Sequence, residues 1–409
     1  MPFRNLGLSD QLVRGVLATG YTAPTEIQSR AIPPALAGRD IIGRAQTGTG
    51  KTAAFVLPML YRLAANESAN GFRKAVRGLI VTPTRELALQ NEQFVIDYGK
   101  FTRFKSLSVY GGASMDYQLR KLREGVDIVI ATPGRLLDHM RRRTINLSRV
   151  EILVLDEADR MFDMGFINDV RQIVAALPRE RQTLLFSATM PAAVKALAAS
   201  ILKTPEVIEV GEQRNPVETV SQRVIQVRKE QKLDLLLRTL KEKDMNCVLV
   251  FSRTRHGADR ITRRLNQAGV KAIALHADRT QGQRMRALAG FKQGLYQVMV
   301  ATDIAARGID VEGISHVINF DVPNYAEDYI HRIGRTGRAE ASGVAITFVS
   351  FDEAEYLRRI ERFIGKGFDL EQHPDFPCDF LRPAAPKVAG LHISIHARQR
   401  VRHFGKRRR

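Results

Sequence analysis

Two tandem α/β units, each a mostly parallel sheet with helices on both faces, follow from three observations on this 409-residue chain. Short β-rich runs alternate with helical stretches in two successive series. The runs are continuously apolar rather than alternating, which marks strands buried on both faces. A polar break, G-E-Q-R-N-P at residues 211–216, separates the series. A chain of this length exceeds one comfortable domain, so two or three units are expected.

The first thirty-two residues precede the sheets. Leu8, Leu12, Val13, Val16 and Leu17 recur at helical spacing, with Ser9 as N-cap and Gly20 beyond the end. Thr25 and Gln28 open a second helix with capping-box spacing. Gln28 therefore has two readings, a cap or an amide that pairs with a base edge.

The next strand, residues 40–43, runs into A-Q-T-G-T-G-K-T at residues 45–52. This fits G-x-x-x-x-G-K-[S/T] with Ala45 in the first glycine's place. Such a loop turns backbone N–H groups of Gln46, Thr47, Gly48, Thr49 and Gly50 toward a polyphosphate at the positive end of the following helix, residues 52–63. Lys51 then reaches the phosphates and Thr52 holds Mg²⁺.

Further strands are expected at 78–81, 107–110, 127–130, 152–155 and 183–186. In parallel sheets ligands sit beyond the C-terminal strand ends, so the polar residues there are the candidates. The strand at 152–155 ends in Asp156-Glu157-Ala158-Asp159, where Asp156 suits Mg²⁺ and Glu157 an attacking water. The strand at 183–186 ends in Ser187-Ala188-Thr189. Pro83-Thr84-Arg85 and Thr132-Pro133-Gly134-Arg135 place threonine and arginine at helix starts, suited to a second set of phosphates. Gly111 and Gly112 permit close backbone approach.

The second series has strands at 221–227, 248–251, 271–275, 298–301, 316–319 and 344–348, with helices such as 232–240 and 255–268 between them. It has no glycine phosphate loop. Gln281, Arg284, Thr302-Asp303 and Arg307-Gly308-Ile309-Asp310 stand out. So does His331-Arg332-Ile333-Gly334-Arg335-Thr336-Gly337-Arg338, whose glycines weaken a helix. Residues 352–365 read as a last helix, and after Phe380 the chain carries only basic charges, ending in Lys406-Arg407-Arg408-Arg409.

Composition narrows the partner. The formal net charge is +20, far more than solubility needs, and favours a polyanion. The two cysteines, Cys247 and Cys378, make neither a zinc site nor a disulfide framework, and a reducing cytosol is expected. No signal-peptide core or membrane-length apolar run is read from the sequence.

The motifs A-Q-T-G-T-G-K-T, P-T-R-E-L-A, T-P-G-R, D-E-A-D, S-A-T, A-T-D-I-A-A-R-G-I-D and H-R-I-G-R-T-G-R, in this order over about residues 3–365, resemble the DEAD-box RNA helicases of superfamily 2. Within that family the chain looks most like the bacterial RhlE type. The resemblance implies two RecA-like domains with ATP and RNA bound across their cleft. It implies that Phe3 stacks on adenine, Gln28 hydrogen-bonds it and Asp310 touches the ribose. Asp156 would position Mg²⁺, Glu157 would be the general base, and Arg335 and Arg338 the arginine fingers. Asp159, Ser187 and Thr189 would couple nucleotide state to strand separation. RNA would contact Pro83, Thr84, Arg85, Gly111, Gly112, Thr132, Arg135, Thr302 and Gly308. One departure is Ala277 in His276-Ala277-Asp278, where relatives usually have glycine.

The expected organisation is an adenine-recognition segment at 1–32, an ATP-binding RecA-like domain at 33–210, a linker at 211–218, a second domain at 219–368 and a disordered basic tail at 369–409. The expected activity is an RNA-dependent ATPase that separates short duplexes or remodels RNA–protein complexes, with ATP and Mg²⁺ as cofactors. A cytoplasmic monomer is expected, with RNA as its partner, ribosomal or RNA-degradation complexes as candidate assemblies and no membrane. The competing readings are a DNA-directed helicase or translocase of the same superfamily and a non-catalytic RNA clamp.

Overall fold

The computed structural model describes residues 2–45, 48–66, 75–210, 220–306, 311, 313–337 and 343–378. Gln46, Thr47, Gly308, Asp310, Arg338 and the linker at 211–218 lie outside the described residues.

The first half opens with a 3-10 turn at Phe3–Leu6, then α1 (Asp10–Ala18) and α2 (Glu26–Leu36). There follow β1 (Ile41–Arg44), α3 (Lys51–Ala65), β2 (Gly78–Val81), α4 (Arg85–Tyr98), β3 (Ser106–Val109), α5 (Met115–Glu124), β4 (Ile128–Ala131) and α6 (Pro133–Arg141). β5 (Ile152–Leu155), α7 (Ala158–Asp163), α8 (Ile167–Ala175), β6 (Gln182–Ser187), α9 (Ala192–Ile201) and β7 (Glu206–Glu209) complete it. The second half has β8 (Val220–Gln226), α10 (Lys232–Thr239), β9 (Val248–Phe251), α11 (Arg255–Gln267), β10 (Ala272–Leu275), α12 (Gln281–Lys292) and β11 (Val298–Ala301). It ends with α13 (Asp303–Ala306), β12 (His316–Asn319), α14 (Ala326–Ile333), β13 (Gly343–Val349), α15 (Ala354–Ile364) and β14 (Leu370–Gln372).

The strands form two seven-stranded sheets, ordered β3-β4-β2-β5-β6-β1-β7 and β10-β11-β9-β12-β13-β8-β14. Counted from the first strand of each half, the two orders are identical, so the architecture is duplicated. All strand pairings within both sheets are parallel. β2, β4, β5 and β6 are buried throughout, as continuous apolar runs require when helices cover both faces. The apolar core divides accordingly: Ile80, Ile130, Val154 and Phe186 pack on one face of the first sheet, and Leu79, Val129, Leu153 and Leu185 on the other.

The expected strands are present, most shifted by a residue at one or both ends. The sequence reading misses β7 and β14, which are the matching edge strands of the two sheets. An edge strand has only one neighbour and packs less fully, and E-V-I-E at 206–209 has a single buried residue. β14 also corrects the tail: the chain does not leave the fold at 369, because Leu370–Gln372 pairs with β8. Residues 379–409 lie outside the described residues. Among the described residues no helix is long and apolar enough to cross a membrane.

The strand order positions the site. β5, β6 and β1 are neighbours, so the loops after them, at Asp156, Ser187 and Ala45, share one stretch of the C-terminal sheet edge. β3, β4 and β2 are neighbours too, bringing Gly111, Thr132 and Pro83 together on the adjoining stretch.

Candidate active site and nucleic-acid interface

The phosphate loop is built by local backbone geometry. Gly48 and Gly50 hold φ at 90° and 92°, a region costly for residues with a Cβ. Gly50 caps a helix of 15 residues, whose N–H groups and dipole favour an anion. A Cβ on Gly50 would stand 2.4 Å from Gln28 Nε2. Lys51 is buried, and its Nζ donates to the Ala45 carbonyl at 2.9 Å. The buried carboxylates of Asp156 and Glu157 feel this ammonium, yet among the described residues no carboxylate lies within salt-bridge distance of it, which suits a polyphosphate.

Gln28 fills the capping role and also reaches the phosphate loop. Its Oε1 accepts from Thr25 N at 3.0 Å as the capping box requires, and its Nε2 donates to Gly50 O at 3.0 Å. The amide is thus fixed against the phosphate loop. Phe3 is only 2% exposed and packs into the first half's core, so its ring has little face to offer a purine here.

Asp156 and Glu157 are both buried. Asn91 Nδ2 donates to Asp156 Oδ2 at 3.0 Å. Burial, with Glu157 beside it, raises the Asp156 carboxyl to about 6 despite Lys51 and Asn91. Burial also acts to raise Glu157, but Arg160, Lys51 and Arg335 outweigh it and hold that carboxyl well below the usual range. Arg160 forms an ion pair with Glu157 Oε2. Glu157 has φ 53°, a strained backbone for a residue with a side chain, and begins α7 there. Among the described residues no three His, Cys, Asp or Glu converge on a metal position. A divalent ion at Asp156 and the half-buried Thr52 would therefore take most ligands from phosphate and water, as Mg²⁺ commonly does.

Asp159, Ser187 and Thr189, expected to couple nucleotide state to strand separation, form one hydrogen-bond network. Asp159 Oδ2 accepts from Thr189 N at 2.7 Å and Thr189 Oγ1 at 2.9 Å. Ser187 Oγ accepts from Asp159 N at 3.1 Å and donates to Thr189 O at 2.7 Å. Ala45 N donates to Ser187 O at 3.2 Å, so the network touches the phosphate loop.

On the adjoining edge, Thr84 caps α4 by accepting from Leu87 N at 3.3 Å. Thr132 stands at the N-cap of α6, with Pro133 in its first turn. Arg85 lies over Gly112, where a Cβ would meet its guanidinium at 2.4 Å. Arg135 donates to Ala113 O at 3.2 Å and to Gln118 Oε1 at 3.0 Å, while Gln118 Nε2 donates to Tyr110 O at 3.1 Å. Two loops, at 110–113 and 132–135, are thereby locked together. Thr302, after β11, is the second half's described counterpart, and its N donates to Leu275 O at 3.3 Å.

The arginines of the H-R-I-G-R-T-G-R segment divide. Arg332, 1% exposed, pairs with Asp303 at 2.5 and 2.8 Å and lies over Phe251. Arg335 stands in the turn after α14, its Nε donating to His331 O at 3.1 Å, and acts electrostatically on Glu157 of the other half. Ala277 carries no positive φ, so the missing glycine costs no strain.

Sequence reasoning misses Asn91, Arg160 and Gln118. It notes Arg284 without a partner, which proves to be Glu86 at 2.7 Å, from the first half. These residues act through contacts made by the fold, and only the D-E-A-D spacing to Arg160 gives a local signal.

A phosphate loop, an acidic strand tip and an arginine supplied by a duplicated second domain define a nucleotide-hydrolysing two-domain machine. Residues 25–197 match the DEAD/DEAH box helicase family and residues 231–340 the helicase conserved C-terminal domain. The chain is 43% identical over 372 residues to the DEAD-box ATP-dependent RNA helicase CshA of Bacillus cereus, covering 91% of this chain and 70% of the relative. It is 44% identical over 391 residues to the ATP-dependent RNA helicase CshA of Listeria monocytogenes, covering 94% and 74%. Dbp5 of S. cerevisiae bound to RNA and ADP BeF3 aligns with TM-score 0.74 at 31% identity, covering 91% of this chain and 95% of Dbp5. The chain belongs to the DEAD/DEAH-box helicases, and its activity is that of an ATP-dependent RNA helicase. The relatives compared carry the name CshA, so the RhlE grouping gains no support from them.

Proposed function

We propose that ATP and single-stranded RNA draw the two halves together, and that hydrolysis waits for this closure. The observation that carries the reading is a contact between the halves: Arg284 of the second pairs with Glu86 of the first at 2.7 Å, and Arg335 of the second adds positive charge near Glu157 of the first. An arginine that reaches the site only on closure ties turnover to the partner that drives closure.

In this reading Lys51 neutralises the phosphates, and Thr52 and Asp156 hold Mg²⁺. The ion, when bound, supplies charge neutralisation at phosphate oxygens. Glu157, kept ionised by Arg160, is ready to orient a water and accept its proton. Arg335 and Arg338 stabilise charge developing on the transferred phosphoryl group. Asp310 and Gln28 hold ribose and base.

Pro83, Thr84, Arg85, Gly111, Gly112, Thr132, Arg135, Thr302 and Gly308 contact the RNA backbone, largely without reading sequence. The Ser187–Thr189–Asp159 network lies between the two ligand regions and carries the coupling. Binding one strand in a bent form would cost the duplex its stacking, and phosphate release would reopen the cleft. The basic residues after 379 tether RNA without sequence preference. A cytoplasmic monomer acting on ribosomal or RNA-degradation complexes fits the charge and the family.

ATP turnover measured with RNA and with DNA of matched sequence tests the reading. Stimulation by RNA alone, lost in Arg335→Ala with nucleotide affinity intact, is expected. Equal stimulation by DNA would overturn the RNA specificity.

A further inference from the structure

We propose that α5 extends the RNA path out of the cleft, with Tyr117 as a stacking platform and Arg120 and Arg123 as phosphate contacts. The inference rests on the RNA reading of the Gly111–Gly112 loop above. β3 is the outermost strand of the first sheet, so a strand of RNA leaving the cleft at Gly111 and Gly112 crosses the sheet edge there. The element next met is α5, which begins at Met115 and connects β3 to β4.

The exposed side of α5 has the composition that single-stranded nucleic acid requires, an aromatic ring among cations. Tyr117 is 47% exposed, and the Arg120 guanidinium lies 5.6 Å from its ring centroid. Arg120 and Arg123 are exposed, and among the described residues neither is in a salt bridge. The helix's two carboxylates are Asp116, in its first turn, and Glu124, which pairs with Lys121 at 2.6 Å. Arg142 caps the C-terminus of α6. It acts electrostatically on His139, whose Nε2 lies 3.0 Å from Gln118 Oε1.

The helix is also held rigidly for this task. Gln118, one residue from Tyr117, is 1% exposed and fixed to Tyr110 O, Arg135 and His139. A base stacked on Tyr117 would therefore be in register with the backbone held by the two loops. Tyr117 plays no part in the nucleotide site, so the surface adds RNA length without adding chemistry.

The test is equilibrium binding of single-stranded oligouridylate, about 6 or about 20 nucleotides long, by the full chain with a non-hydrolysable ATP analogue. The wild type should bind the long RNA more tightly than the short. Tyr117→Ala with Arg120→Ala and Arg123→Ala should lose about tenfold on the long RNA and nothing on the short, with the ATPase stimulated by short RNA unchanged. The salt slope on long RNA should fall by about 1 to 1.5. Tyr117→Phe should bind like the wild type. Equal loss on both lengths, no loss on the long RNA, or no length preference in the wild type would overturn the proposal. A wild type that binds neither RNA would instead overturn the RNA reading beneath it.

Discussion

Arg284 Nε donates to Glu86 Oε1 across 2.7 Å, and the two side chains, from different halves, are 8% and 9% exposed. Gln281 Nε2 reaches the same Glu86 oxygen at 3.4 Å. Glu86 follows Thr84 and Arg85 directly, so the pair links the proposed RNA loop to the second half. Breaking a buried pair leaves one charge without its partner, a cost of about 3–5 kcal/mol. Arg284→Ala should therefore raise the RNA concentration needed for half-maximal ATPase by tenfold or more (about 1.4 kcal/mol per decade). RNA-titrated turnover checks this, and an unchanged midpoint would mean that the pair does not support closure.

Lys51 donates to Ala45 O and has no described carboxylate within salt-bridge distance. Lys51→Ala should remove the main positive charge facing the phosphates. Nucleotide affinity and ATP turnover should both collapse while the fold persists, because Lys51 begins a helix with a large apolar face. Titration with a fluorescent ATP analogue beside circular dichroism separates the two effects.

Glu157→Gln should keep the side chain's size and remove its capacity to accept a proton. A general base contributes about 10²–10⁴ in rate, so turnover should fall by that order while nucleotide and RNA remain bound. Single-turnover ATP hydrolysis with RNA retention measured in parallel is the check. Near-normal turnover would remove Glu157 from the chemistry.

The residues proposed to touch ligands sit at strand ends in contiguous motifs, and these are legible in the sequence. Asp156, Ser187, Thr84 and Thr132 occupy the strand tips expected of them because the strands are continuous apolar runs. The residues that hold those groups are scattered. Asn91 reaches Asp156 from 65 positions away, and Glu86 meets Arg284 from 198 away. Spacing along the chain carries no trace of such contacts. Arg332, Arg335 and Arg338 look alike as a three-residue repeat, yet burial gives Arg332 a structural partner in Asp303. The edge strands β7 and β14 escape notice because half-exposed strands lack the continuous apolar signal.

Gln118 gives a prediction about positioning. Its amide joins the loops at 110–113 and 132–135 through Tyr110 O and Arg135, and His139 completes the cluster. Burial, then Arg135, holds the His139 pKa below its ordinary value. Gln118→Leu should leave the Arg135 and His139 donors without their acceptor and let the loops move independently. RNA affinity should weaken about tenfold with the saturated ATPase rate nearly kept, a change in RNA midpoint rather than in kcat. An equal fall in saturated rate would place Gln118 in catalysis or in stability instead.

Thr189 donates twice to Asp159 Oδ2, from its backbone at 2.7 Å and its hydroxyl at 2.9 Å, and Ser187 closes the ring from the other side. Ser187→Ala with Thr189→Ala removes two hydroxyls but keeps the backbone bond from Thr189 N. Asp159 then stays in place while its contact with the β6 tip loosens. The nucleotide pocket is untouched, since Lys51, Asp156 and Glu157 keep their partners. The expected outcome is ATP hydrolysis within about threefold of wild type but strand separation reduced by tenfold or more, a loss of about 1.4 kcal/mol or greater in coupling. Duplex unwinding and ATP turnover measured on the same preparation read the two numbers. A parallel fall in both would show that these hydroxyls serve the chemical step, and no fall in unwinding would leave coupling to Asp159 alone.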